Sequence, residues 1–255
     1  MPLQNDYEKA AALLRKSRRT VAFTGAGISV ESGIPPFRGP DGLWSKIDPT
    51  FLDMTYFHSH AADSWKLIRE IFYEFFGKAR PNAAHLALAE LEREGFLQAV
   101  ITQNIDNLHQ EAGNTDVIEF HGTAQTMVCQ SCGASYPAGE VDLTRLPPKC
   151  GDCNGLLKPD FIFFGEAIPP EAMSRSLLEA DQADVVLVIG TTGEIMPASM
   201  IPRMAKQQGA SIIEINPNPS NYTESVTDVF LADKATVAAQ KLLGALGLAS
   251  PGHAG

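Results

Sequence analysis

Four cysteines in two pairs are the clearest chemical signal in this 255-residue chain. Two residues separate Cys129 from Cys132 and Cys150 from Cys153, and seventeen residues lie between the pairs. Two such turns can direct four thiolates at one tetrahedral Zn²⁺ ion and leave no coordination position for water or substrate. The spacing therefore predicts a structural zinc site with these four residues as ligands. The alternatives are two disulfides, which need an oxidising compartment, or four unrelated thiols.

A glycine-rich loop after a short apolar run is the second signal. Gly25 and Gly27 form half of a dinucleotide-binding fingerprint, in which glycines let backbone amides approach a pyrophosphate. The third glycine of that fingerprint is missing, because position 30 is valine. Tight turns without a ligand also use such a pair of glycines. The loop by itself therefore leaves nucleotide binding open.

Two residues a little further along the chain could contribute to the same site. Phe37 follows two prolines and could cover a reactive ring, and Arg38 could hold a phosphate through two hydrogen bonds. The alternative is a surface turn in which Phe37 is buried and Arg38 is solvated.

Alternating strands and helices must position these residues. Buried strands are predicted at 21–23, 99–102, 117–120, 185–189, 212–215 and near 229–230, and helices at 3–17, 85–94, 169–182, 197–208 and from 234, with a helical, aromatic-rich stretch at 44–78. This order predicts an α/β fold with a doubly wound parallel sheet, in which ligands bind beyond the carboxyl ends of the strands. Polar or glycine-rich segments follow five of these strands, at 25–27, 103–106, 121–122, 190–192 and 216–218. Their convergence predicts a nucleotide site.

The bulk composition restricts the class of protein. Hydrophobic residues make up 44% of the chain and charged residues 20%, which is typical of a soluble globular protein. The net charge of −10 opposes non-specific binding to nucleic acid and favours substrates with basic character. No apolar run reaches the ~18 residues of a membrane span, and residues 1–16 look like neither a secretory nor a transit sequence. We therefore expect a cytoplasmic protein without direct membrane or nucleic-acid binding.

These motifs together resemble the sirtuin family over about residues 10–245. The resemblance rests on the segments 25–29, 32–35, 37–39, 102–106, 108–109, 121–122, 164–166 and 190–191, on Pro159 and on the four-cysteine module. It implies a Rossmann-like NAD-binding domain and a smaller domain made of a zinc ribbon and a helical insert. The implied boundaries are 1–43, 79–122 and 165–255 for the large domain, with the insert at 44–78 and the zinc ribbon at 123–164.

The resemblance also implies a reaction and its participants. Sirtuins are NAD-dependent protein-lysine deacylases that release nicotinamide and transfer the acyl group to ADP-ribose, and deacetylation is the first activity to expect. The implied co-substrate is NAD⁺, the implied metal is a structural Zn²⁺ ion, and the implied partners are acyl-lysine proteins or peptides. We expect a monomer. Mono-ADP-ribosyl transfer, plain NAD hydrolysis and a non-catalytic NAD or zinc-ribbon binding protein are the alternatives.

Individual residues take roles from the same resemblance. His121 matches the general base, and its ordinary pKa near 6.5 suits that role. Asn104 and Asp106 match catalytic residues of the nicotinamide pocket. The residues that match cofactor contacts are Gly25, Ala26, Gly27, Phe37, Arg38, Gln103, Asn104, Ile105, Asp106, His121, Gly190, Thr191, Thr192, Asn216, Pro217, Asn218 and Ala235. The residues that match the substrate edges are Ile162, Phe163, Phe164, Gly165 and Glu166 on one side and Glu194, Ile195 and Met196 on the other.

Without the resemblance, each of these polar residues has a plainer interpretation. His121 could be a core or helix-cap histidine, Gln103 and Asn104 could form a polar turn, and Asp106 could cap a helix.

One departure from the family bears on the acyl group. Sirtuins that remove succinyl or malonyl groups carry a Tyr-x-x-Arg pair in the helical insert. When Trp65 is aligned with the tryptophan of that insert, Ile68 and Ile71 stand at the two positions. An acidic acyl group would then be buried without a cationic partner, so we expect succinyl-lysine to be a poor substrate. Pro36 and the segment 192–194 also depart from the family pattern.

Overall fold

The computed structural model describes residues 4–39 and 42–249 of the chain. Its main element is a six-stranded sheet, which consists of β1 (Thr20–Thr24), β2 (Ala99–Thr102), β3 (Val117–Glu119), β7 (Val185–Ile189), β8 (Ser211–Ile215) and β9 (Val229–Leu231). All neighbouring strands are parallel, and their spatial order is β3-β2-β1-β7-β8-β9. The α/β prediction is confirmed, and all six predicted strands are present.

Helices cover both faces of this sheet, as its continuous apolar strands require. The helices of the described residues are α1 (Gln4–Lys16), α2 (Met54–Ser59), α3 (Ala61–Ile68), α4 (Ala83–Arg93), α5 (Leu108–Ala112), α6 (Pro170–Gln182), α7 (Met200–Gln207) and α8 (Ala235–Leu246). One core contains side chains of α1, α4 and α8, and another contains side chains of α6 and α7. The predicted helix start at residue 3 lies outside the described residues. No helix in the described ranges has the length and apolar character needed to cross a bilayer.

The strand order creates a crevice at the centre of the sheet. From β1 the chain moves outward through β2 and β3, and it then crosses back to place β7, β8 and β9 on the other side. The connections that follow the neighbouring strands β1 and β7 lead to opposite edges of the sheet. Such a reversal of strand order leaves an opening at the carboxyl ends of the two strands, where ligands bind in folds of this kind. The loops after β1 and β7 therefore face each other across this opening.

A second, antiparallel sheet was not predicted. It consists of β4 (Gly122–Cys129), β5 (Ser135–Pro137) and β6 (Leu157–Phe161), in the order β5-β4-β6. Periodicity could not reveal it, because β4 lacks a clean alternation of buried and exposed residues and β6 contains a proline and a buried lysine.

The helical stretch predicted at 44–78 is a set of short elements. It contains α2, α3 and a π-helical segment, Arg69–Phe75. Its aromatic side chains share one core with side chains of the small sheet. Trp65 is fully buried there and donates a hydrogen bond from Nε1 to the carbonyl oxygen of Leu157 in β6 (2.9 Å). The insert and the small sheet are thus packed as one layer opposite the crevice.

Candidate functional site

A cavity of about 1230 Å³ lies between the carboxyl ends of the parallel strands and the insert with its small sheet. The predicted site residues that line it are Gly25, Ala26, Gly27, Phe37, Arg38, Gln103, Asn104, Ile105, His121, Ile162, Phe163, Phe164, Gly165, Glu166, Gly190, Thr191, Thr192, Ile195, Met196, Asn216, Pro217, Asn218 and Ala235. Two predicted residues, Asp106 and Glu194, are not among the lining residues. Segments scattered over more than two hundred positions of sequence therefore meet around one space.

The two glycine loops at the crevice touch backbone to backbone. The amide of Gly27 donates a hydrogen bond to the carbonyl of Gly190 (2.8 Å). A Cβ atom on Gly27 would lie 2.6 Å from Gly190 Cα, and Gly190 itself has a φ of +65°. Side chains at these positions would collide with backbone, so the close approach requires glycine at both. The contact leaves a backbone-lined end of the cavity, as a pyrophosphate site needs.

His121 stands between β3 and β4 and lines the cavity. Its Nδ1 lies 2.9 Å from the carbonyl oxygen of Gln103, and because a carbonyl can only accept, Nδ1 carries the proton. In the neutral ring Nε2 then holds the lone pair. Burial, together with the nearby Arg38 guanidinium, lowers the pKa of His121 below its ordinary value, although the bond to Gln103 opposes this. The ring is therefore prepared to accept a proton at neutral pH.

A hydrogen-bond network centred on Ser29 lies behind the nicotinamide-pocket candidates. Ser29 Oγ donates to Asp106 Oδ2 (2.7 Å) and accepts from Asn104 Nδ2 (3.1 Å). His85 Nε2 lies 3.4 Å from the same oxygen. Asp106 Oδ1 also accepts the backbone amide of Leu108 at the start of α5 (3.1 Å), but the N-cap of this helix is Asn107, so the plainer interpretation of Asp106 as the N-cap is wrong by one residue. Burial is the main cause that raises the pKa of Asp106.

The tautomer of His85 follows from its second contact. The backbone amide of Asn82 donates to His85 Nδ1 (3.3 Å), so the ring proton is on Nε2, which points at Ser29. Burial and the neighbouring His109 lower the pKa of His85 well below its ordinary value, which keeps the ring neutral. A chain of donors thus runs from His85 through Ser29 to the Asp106 carboxylate. Sequence reasoning treated His85 only as a helix residue and missed it.

Replacing Ser29 by alanine should impair the site more than the fold. The Asp106 carboxylate and the Asn104 amide would each lose a buried partner, and hydrogen bonds to charged groups contribute about 1.5–3 kcal/mol, or roughly 10- to 150-fold. We expect nicotinamide release to fall by about that factor in kcat/KM, with a drop in Tm of only a few degrees. Ser32→Ala, in the next turn of the same loop, is the matched control. Equal losses in both variants would contradict a special role for Ser29.

The far end of the crevice is organised by Glu214, which is fully buried. Its carboxylate accepts hydrogen bonds from Asn216 Nδ2 (3.0 Å), Ser220 Oγ (2.5 Å), Thr223 Oγ1 (2.8 Å) and Thr227 Oγ1 (2.7 Å). Asn216 Nδ2 also donates to the carbonyl of Thr191 (3.1 Å). Both contacts use the amide nitrogen of Asn216, so its oxygen remains as an acceptor at the cavity. Sequence reasoning found Asn216 but not the glutamate that orients it.

The apolar end of the cavity, where the sequence placed Ile68 and Ile71, differs in detail from that interpretation. Ile68 and Ile71 are buried in the core of the insert and do not line the cavity, whereas Phe72 does. Arg69 points elsewhere: it donates to the carbonyl of Leu143 and pairs with Glu74. The apolar wall is formed by Trp44, Leu52, Phe72, Phe161 and Phe163. Among the described lining residues, the lysine and arginine side chains are those of Arg38 and Lys234.

The four cysteines come together beside the small sheet. Their sulfur atoms all lie within 4.8 Å of one another, with 3.5 Å between Cys129 and Cys153 and 3.7 Å between Cys132 and Cys150. A tetrahedral Zn²⁺ ion with Zn–S bonds of about 2.3 Å requires sulfur separations near 3.8 Å. All four thiols are free, so the disulfide alternative is not realised. The geometry fits a structural zinc ion.

Comparison with known proteins agrees with this geometry. The sequence profile described as Sir2 family matches residues 25–197. A protein named NAD-dependent protein deacetylase from Caldivirga maquilingensis is 44% identical over 239 residues, which cover 92% of this chain and 91% of that protein. One named NAD-dependent protein deacylase from Pyrococcus furiosus is 42% identical over 247 residues, with coverage of 92% and 96%.

The chain belongs to the Sir2 family. The predicted sirtuin membership is thereby confirmed. Solved Sir2 structures have the same fold: a Sir2 homologue mutant in complex with ADP-ribose superimposes with a TM-score of 0.89 at 40% identity, covering 94% of this chain and 96% of that chain. A Sir2 complex with a p53 peptide and NAD⁺ superimposes with a TM-score of 0.86 at 33% identity, with coverage of 94% and 98%.

Proposed function

We propose that this Sir2 protein is an NAD-dependent protein-lysine deacylase and that deacetylation is its main activity. The observation that carries the proposal is the position of His121. His121 lines the same cavity as the glycine loops and the apolar wall, and the bond from Nδ1 to the Gln103 carbonyl leaves the lone pair on Nε2, so a base is present where a nucleotide and an acyl chain would meet. The relatives named deacetylases and deacylases span almost the whole chain, which supports the same activity here.

The residues of the cavity fit NAD⁺ as the co-substrate. The glycine loops offer backbone at the pyrophosphate position, and Asn216 and Asn218 offer polar groups at the adenosine end. When bound, NAD⁺ supplies a glycosidic bond to nicotinamide and, after its cleavage, an ADP-ribose that takes the acyl group. Asn104, Asp106 and Ser29 would orient the nicotinamide side, and Gln103, whose Nε2 donates to Thr191 Oγ1 (3.2 Å), the ribose side. His121 Nε2 would accept the proton of the attacking ribose hydroxyl.

The acyl-lysine peptide would enter between two partly exposed segments. Ile162–Glu166 would form one edge and Glu194–Met196 the other, so that the peptide adds as a strand between them. Met196 is 62% exposed at the entrance, as expected for a residue that a partner covers. The proposed domains follow the same cleft: 1–43, 79–122 and 165–255 bind NAD⁺, and the insert 44–78 with the zinc ribbon 123–164 forms the small domain. We also propose a cytoplasmic monomer.

The test of this function uses NAD⁺ with matched acetyl-, butyryl-, myristoyl- and unmodified-lysine peptides, with products followed by mass spectrometry. Peptide-dependent release of nicotinamide together with O-acyl-ADP-ribose would establish deacylation and rank the acyl groups. Nicotinamide release that ignores the peptide would instead indicate NAD hydrolysis or ADP-ribosyl transfer. No NAD turnover under any condition would favour the binding role.

Succinyl-lysine should be the poorest acyl substrate. The apolar wall would bury its carboxylate without a partner, because Arg69 is engaged by Leu143 and Glu74, and burial of an unpaired charge costs several kcal/mol. We expect kcat/KM for a succinyl peptide to be lower than for the acetyl peptide of the same sequence by about 100-fold or more. Steady-state kinetics on the two peptides measure the ratio. Comparable turnover of both would refute the prediction.

A further inference from the structure

Lys158 is a buried cation that the proposed reaction does not use. It lies in β6 and is only 5% exposed. Its ammonium group donates to the carbonyl oxygens of Pro159 (2.9 Å) and Phe161 (2.7 Å) and pairs with Glu166 Oε2 (2.9 Å). The three N–H donors of the ammonium thus have three acceptors, as a buried lysine requires. The same ammonium sits 4.2 Å from the centre of the Phe163 ring.

All of these partners belong to one stretch of chain, 159–166. The stretch runs from the small sheet into the segment Ile162–Glu166, which is the proposed peptide-binding edge. Burial lowers the pKa of Lys158, and the Glu166 carboxylate opposes that shift. A cation buried among apolar rings is costly, and here its compensation comes from two carbonyl oxygens in β6 and from the Glu166 carboxylate of the edge. Lys158 therefore links β6 to the edge that follows it rather than joining distant parts of the fold.

The edge has firm anchors at its start and middle. The amide of Ile162 donates to the carbonyl of His121 (2.9 Å). The amide of Phe164 donates to Leu52 (2.9 Å), and its carbonyl accepts from Met54 (3.3 Å). These bonds tie the edge to the candidate base on one side and to the insert on the other.

The outer end of the edge is held differently. It closes as a turn in which the Glu166 amide donates to the Phe163 carbonyl (3.1 Å) and the Phe163 amide donates to the Glu166 carboxylate (2.6 Å). Gly165 at its tip has a φ of +93°. Within the described part of the chain, the amide and carbonyl of Gly165 have no hydrogen-bond partner. Strand addition needs such free backbone groups, so their orientation depends on a turn that Lys158 secures through Glu166.

We propose that Lys158 is a positioning residue that fixes the peptide-binding edge by holding the Glu166 carboxylate. Glu166 then acts on the substrate through its backbone, and its negative charge is directed inward at Lys158. This role rests on the proposed deacylase function, because it assigns Ile162–Glu166 to the peptide.

Lys158→Met keeps the aliphatic stem and removes the charge. Loss of one charge-assisted contact should raise the Kd and the KM for a labelled acetyl-lysine peptide by about tenfold or more, with the KM for NAD⁺ changed by less than about twofold. Lys158→Arg should restore most of the peptide affinity. Hydrogen exchange should become faster in peptides covering 162–166 and remain unchanged in β7.

Arg19→Met is the matched control. Arg19 also pairs with a buried carboxylate, Glu179 (2.8 Å from Nε), but it directly precedes β1, at the amino ends of the strands, whereas the cavity lies at their carboxyl ends. The Arg19→Met variant should have a lower Tm than the wild-type protein but an unchanged KM for the peptide. Unchanged peptide affinity in Lys158→Met, unchanged exchange at 162–166, or equal effects of both variants on the peptide and NAD⁺ constants would overturn the proposal. If the wild-type protein binds the peptide but releases no nicotinamide, the deacylase function fails, and the Kd and exchange measurements still decide the role of Lys158.

Discussion

Replacement of His121 by alanine is expected to lower kcat/KM for an acetyl-lysine peptide by about 10²–10⁴-fold, the usual contribution of a general base. The neutral ring has its lone pair on Nε2, since Nδ1 is committed to the Gln103 carbonyl. Because His121 is only partly buried, we expect the loss in activity without a comparable loss in Tm. Nicotinamide release and thermal unfolding of the two proteins provide the measurement. Retention of more than about a tenth of the wild-type rate would exclude His121 as the base.

The pH dependence provides an independent check on the same residue. A general base works in its neutral form, so the rate should rise with pH through the His121 pKa and then level off. Burial and Arg38 lower that pKa, so the inflection should lie below the ordinary histidine value of about 6.5. The profile of kcat/KM between about pH 5 and pH 8 measures it. An acidic limb centred above the ordinary value would contradict the assignment.

Loss of the zinc ion is expected to unfold the small sheet. Apart from the cysteines, this end of the sheet has little core of its own: Leu157 is buried with Cys129 and Cys150, and Tyr136 packs against them. Structural zinc sites contribute apparent binding energies of about 10–16 kcal/mol in isolated zinc-finger peptides, far more than such a small core can replace. Cys150→Ser should therefore lose the metal, lower Tm by well over ten degrees and abolish activity, since the proposed peptide edge continues directly from β6.

Metal analysis by mass spectrometry and thermal unfolding test this expectation. Ser131→Ala, between two of the cysteines but without a thiolate, is the control and should retain one zinc ion per chain. A strong chelator should reproduce the effect of Cys150→Ser on the wild-type protein. Full stability and activity of the metal-free protein would show that the four cysteines do not support the fold.

Local sequence determined much of this molecule. The strands at 99–102 and 185–189 begin and end at the predicted residues. A run of four or five apolar residues bounded by polar ones is typical of a buried strand and is too short for most helices. The spacing of the cysteines predicted the cluster, since each pair needs only a tight turn to direct two sulfurs at one point. The motifs at the strand ends predicted which segments meet at the cavity. Family resemblance, and not periodicity, predicted the reaction.

The tertiary structure alone decided the contacts between those segments. Ser29 lies 77 positions from Asp106 and 56 from His85, and nothing local to either residue indicates the network they form. No local pattern marks Lys158 as buried, and its burial depends on Glu166 and two carbonyl oxygens that compensate its charge. The pairing of the small sheet also depends on contacts between distant segments. So does the presence of Phe72, rather than the predicted Ile71, at the apolar wall. A local pattern specifies which face of an element is apolar, whereas the partner of a buried polar group depends on how distant elements pack.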